Sequence, residues 1–132
     1  MDKIGVSLIL LTYKRKILLM HRDNSPIIKS AWCFIEGEKE KNKSFEESMF
    51  RKVEKETSLK LTAATLVANW MYNNETKCFY HAELTDEHVN NIKREEGQTL
   101  DFFTFREVEK LALTVSAAAF VTKYKDFLAR NA

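Results

Sequence analysis

Apolar positions in this chain follow two rhythms. Lys3 to Tyr13, KIGVSLILLTY, is aliphatic almost throughout and reads as a buried strand. Lys14, Arg15 and Lys16 form a charged turn, and Ile17 to His21, ILLMH, reads as a second strand pairing with the first in a hairpin. Arg22-Asp23-Asn24-Ser25-Pro26 is a loop signal. A short third strand is predicted over Trp32–Ile35, ending in a glycine turn at Gly37. Leu59 to Tyr72 reads as a long, bent strand, and Lys77 to Leu84 as its hairpin partner. In that partner Phe79, His81 and Glu83 alternate with Cys78, Tyr80 and Ala82, so one set is expected in the core and the other along a cleft. A short helical or irregular segment is expected from Thr85 to Arg94, then a strand over Thr99–Phe105 and a helical turn over Arg106–Leu111.

The helical rhythm is clearest after Ser44. Phe45, Met49 and Val53 recur at helical spacing, and Phe50 widens the stripe. Ser44 with Glu47 forms a capping-box pattern. Glu46 and Glu47 sit at the positive end of the helix dipole, Lys52 and Lys55 at the negative end. A helix over residues 45–57 follows. Thr114 caps one final helix, whose Phe120, Val121, Tyr124, Phe127 and Leu128 pack on the sheet. Strands, helix, strands and helix in this order make an α+β sandwich.

The 132 residues suit one domain, residues 1–132, with a real core. With 45% hydrophobic and 30% charged residues the balance is that of a soluble globular protein. A net charge of +2 gives no footprint for a nucleic acid polymer or a membrane. The run Val6–Leu11 is too short to span a bilayer, and no signal peptide is visible. Cys33 and Cys78 sit in apolar runs without zinc spacing, as thiols of a reducing compartment do. A cytoplasmic protein is expected.

The stretch from Trp32 to Leu61 carries the candidate chemistry. Gly37, Arg51, Val53, Glu56 and Leu59 fall in the frame of the Nudix box, and the chain resembles the Nudix (MutT-like) hydrolase superfamily. In that box a glycine is followed by a glutamate, an Arg-Glu pair, a bulky aliphatic residue, a Glu-Glu pair, a glycine and another aliphatic residue. Here Lys43, Lys52 and Lys55 replace glutamates, Ser58 replaces the second glycine, and Glu36 replaces the first glycine of the usual Gly-Gly turn. Glu95-Glu96-Gly97-Gln98 before an aromatic strand resembles a second landmark of the family.

The resemblance implies a Nudix-type α/β/α sandwich with a mixed sheet between helices. It implies magnesium- or manganese-dependent pyrophosphohydrolysis of a nucleoside diphosphate linked to another group, with a nucleotide or other phosphorylated small molecule as partner. By the same resemblance Glu56 and Glu96 are the remaining metal ligands and water activators. Arg22, Lys52 and Lys55 are phosphate contacts, and Gly37, Glu40 and Arg51 are structural residues of the box. Homodimers are common in the family. An ammonium cannot ligate a metal and repels one, so the lost glutamates imply a weakened or altered activity. The alternative is a non-catalytic module that binds phosphate on Lys52 and Lys55.

Blander readings stand beside these. Lysines in a last helical turn complement the dipole. Arg51 has Glu47 and Glu54 at salt-bridge spacing, with Glu40 or Glu47 as substitutes for the missing box partner. Glu36 and Glu38 read as a solvated loop, His81 as a strand histidine, Glu96 as an acidic surface loop, and Trp70, Tyr72 and Tyr80 as packing residues.

Overall fold

A computed structural model describes residues 5–22, 31–72, 74–94 and 98–132, with Arg22 and Tyr72 described by backbone alone. The loop signal at 23–26 lies outside the described residues. The hairpin forms as expected: β1 (Gly5–Tyr13) pairs antiparallel with β2 (Lys16–Arg22). Lys14 and Arg15 turn the chain with φ of 47° and 63°.

The expected third strand is two strands. β3 (Trp32–Cys33) pairs with β2, whereas β4 (Ile35–Glu38) pairs with the first half of β1. The break at Phe34 lets one short apolar run serve two partners. β4 contains Glu36, Gly37 and Glu38, which were expected in a turn and a solvated loop. After helix α1 (Phe45–Thr57), regular strand structure resumes only at β5 (Thr65–Tyr72), not at Leu59. Leu59 and Leu61 are buried in the connection instead. A bulge between Leu66 and Ala68 supplies the expected bend. β6 (Glu75–Glu83) pairs antiparallel with β5 and parallel with β1. α2 (Asp86–Asn90) and β7 (Gln98–Phe103) follow, and β7 pairs with β2.

Among the described residues the strands form a seven-stranded mixed sheet. Alternation along β1 sends Leu8 and Leu10 into one apolar layer and Ile9 and Leu11 into the other. β6 divides likewise: Phe79 enters the first layer, and Cys78 and Tyr80 the second, so both sets contribute to the core. α1 covers the second face with Met49 and Val53. The first face is covered by α3 (Phe105–Lys110), α4 (Val115–Lys123) and α5 (Lys125–Asn131) through Val108, Phe120, Val121 and Leu128. The single C-terminal helix expected from periodicity is broken at Tyr124, with φ −112° and ψ 27°. The break keeps Tyr124 and Phe127 against Phe79, at 4.9 and 5.5 Å between ring centroids.

Gly5 is where β1 comes closest to its neighbours. A β-carbon there would collide with the Thr76 carbonyl oxygen and stand 2.7 Å from the Phe45 ring. Among the described residues no helix is long and apolar enough to cross a membrane.

Candidate functional site

α1 is the element that presents the site. The Ser44 hydroxyl accepts from the Glu47 amide at 3.0 Å, and the Glu47 carboxylate accepts from the Ser44 amide at 3.1 Å. These bonds hold the Glu47 carboxyl below the usual carboxylate range. The helix ends in a left-handed Ser58 at φ 67°, whose amide donates to the Glu54 carbonyl at 2.8 Å.

The loop before the helix is tied down from both sides. The Glu40 amide donates to the buried Ser48 hydroxyl at 2.9 Å. The Glu40 carboxylate lies 3.6 Å from the Arg51 guanidinium. Ser48 was not read from the sequence as a site residue. Its signal was a small polar side chain on the inner side of an amphipathic helix.

A groove of about 620 Å³ runs along this face. From α1 it is lined by Ser48, Arg51, Lys52, Glu54 and Lys55, and from the preceding strand and loop by Gly37, Glu38 and Glu40. Lys55 is exposed. Lys52 is not: its side chain is 22% exposed, and its ammonium lies 3.1 Å from Glu56, whose side chain is 1% exposed. A β-carbon on Gly37 would stand 3.2 Å from Cδ and 3.3 Å from Cγ of Lys52. Gly37 has no positive φ, so its value here is the room it leaves for the lysine stem, not the turn expected from the sequence.

Glu36 is a half-buried strand residue rather than a solvated one, paired across from Leu8. Burial pushes its carboxyl upward, and Lys77 and Lys52 pull it part of the way back. His81 stands apart from the groove. Its Nε2 lies 2.8 Å from the Thr12 hydroxyl, which donates to Glu83 at 3.0 Å, and its ring meets Phe127 edge-on at 5.5 Å. Because Thr12 is buried, this cluster offers no accessible nucleophile. Trp70 packs on Tyr124 with Lys123 over its ring at 4.6 Å, and Tyr80 is buried. Arg22 ends β2, but its side chain lies outside the described residues, as do Glu95 and Glu96.

The NUDIX domain model matches residues 1–124, nearly the whole chain. This chain belongs to the NUDIX family. Its NUDIX fold is seen again in solved structures. MutT, from work on Aliivibrio salmonicida and Vibrio cholerae, superposes with a TM-score of 0.77 at 15% identity, covering 98% of each chain. The NUDIX domain of Shewanella oneidensis NrtR, in complex with ADP ribose, gives 0.69 at 14% identity over 97% of this chain and 90% of that one. The Escherichia coli ORF135 protein gives 0.62 at 19% identity over 92% of each. No curated protein matches by sequence.

NUDIX proteins generally use divalent metals, which calls for a test of the donors. On α1 the carboxylate of Glu56 faces the ammonium of Lys52, and Lys55 replaces its neighbour in the box. Among the described residues no three His, Cys, Asp or Glu side chains converge as a metal set. Magnesium needs hard oxygen donors in a near-octahedral shell. The described donors do not fit one.

Proposed function

We propose that this NUDIX domain binds the phosphates of a nucleotide or another phosphorylated small molecule in the groove beside α1, and that metal-dependent phosphoanhydride hydrolysis by it is weakened or altered. The observation that carries this reading is the Lys52–Glu56 pair. A general base needs a free lone pair within reach of the attacking water. Glu56 is buried, and its carboxylate is already engaged by the Lys52 ammonium at 3.1 Å. The same pair leaves Lys52, with Arg51 and Lys55, along a groove large enough for a small ligand. ADP ribose, present in the NrtR NUDIX domain complex, is the natural first ligand to try.

Family membership supports the second reading, a hydrolase with residual activity in which Glu56 and Glu96 act on metal and water. Arg22 belongs to either reading as a phosphate contact. The test is product release from nucleoside triphosphates, dinucleotides, ADP ribose and nucleotide sugars, in magnesium, manganese and chelator. Little or no turnover together with ligand binding in chelator is expected. Rapid metal-dependent turnover lost in Glu56→Gln would overturn the proposal and establish the enzyme reading.

A further inference from the structure

We propose that the Lys52 ammonium is the resident cation of the groove: seated over Gly37 against buried Glu56, it stands in for a divalent ion and meets phosphate itself. The second half of this statement rests on the phosphate-binding reading above. The first half, exclusion of the ion, stands on the geometry alone.

Three observations carry it. The contact is short, 3.1 Å, and largely dry, with side chains 22% and 1% exposed. Helix spacing alone does not account for it, because a lysine four residues before a glutamate is the less favourable order. The lysine stem also has a seat, since Gly37 leaves open the space that any β-carbon would contest at 3.2–3.3 Å. Gly37 is therefore a positioning residue for Lys52. A buried pair of this kind adds little net stability over apolar packing, and its best-attested value is to fix a local arrangement. An ammonium has three donors, so contact with Glu56 leaves others for the groove that Lys52 lines. A cation approaching Glu56 would meet that positive charge at close range.

The experiment measures Mn²⁺ binding by loss of the free-ion electron paramagnetic resonance signal, with Mn²⁺ alone and the full chain as wild type, Lys52→Glu and Glu56→Gln. Beside it, calorimetry follows inorganic pyrophosphate in chelator. Wild type is expected to show no Mn²⁺ site that depends on Glu56. Lys52→Glu, which restores the box carboxylate, is expected to bind Mn²⁺ at least about tenfold more tightly than wild type. Glu56→Gln keeps an acceptor for the ammonium but removes its internal counter-charge, so pyrophosphate affinity in chelator is expected to rise several-fold.

A wild-type Mn²⁺ site lost in Glu56→Gln overturns the inference. So does equal Mn²⁺ affinity in wild type and folded Lys52→Glu. If Lys52→Glu does not fold, by circular dichroism, wild type against Glu56→Gln still decides. If wild type ignores pyrophosphate in chelator while Lys52→Glu gains Mn²⁺, the phosphate reading falls and exclusion of the ion is upheld.

Discussion

Ser58 shows how one residue departs from its family frame and what that costs. It holds the left-handed C-terminal position of α1 at φ 67°, a conformation that disfavours any residue with a β-carbon. Its hydroxyl recovers part of the cost by donating to the Lys93 carbonyl at 3.3 Å. Ser58→Gly is expected to raise stability by about 1 kcal/mol in urea unfolding; a loss would mean that the Lys93 contact outweighs the strain. His81 carries a pH dependence. Burial depresses its folded pKa, with Glu83 opposing, whereas the unfolded imidazole titrates near about 6.5. As pH falls the unfolded chain takes up this proton first, so stability drops from about pH 6.5 down through the lower folded value. Thermal melts across that window are expected to fall with pH in wild type and to fall less in His81→Gln. Equal slopes would place the dependence elsewhere.

At the scale of elements, α1 is specified by its own sequence and aimed by its surroundings. The Ser44–Glu47 reciprocal bonds start it, and Met49 and Val53 press it on the sheet. Ser44→Ala is expected to cost about 1 kcal/mol of stability in urea unfolding, because the Glu47 amide loses its side-chain acceptor. An unchanged midpoint would mean that packing alone sets the first turn. Such local chemistry is legible in a sequence. The division of Trp32–Glu38 between β3 and β4 is not, since it depends on β2 and β1 each claiming part of the run. The break at Tyr124 is hidden for a similar reason: the apolar spacing continues through it, and only packing on Phe79 distinguishes one helix from two.

For the whole molecule, the α+β sandwich followed from the order of periodic segments, and the box frame pointed to the family that the domain match establishes. Of the residues of the frame, Gly37, Glu40, Arg51, Lys52 and Lys55 gather along one groove. What the spacing did not reveal is direction. Lys52 and Lys55 looked equivalent on the helix, yet one turns inward over a glycine from β4 and the other stays in solvent. That difference is a contact between segments far apart in the chain, so no local pattern encodes it. It changes the reading of Glu56 from a free carboxylate to the counter-ion of a lysine.

The most direct test of this account is calorimetric titration of the full chain with ADP ribose, once in chelator and once in magnesium. Saturable binding of similar affinity in both, weakened by Lys52→Glu in chelator, is the expected result. Binding that appears only with magnesium and disappears in Glu56→Gln would contradict it and return Glu56 to the role of a metal ligand.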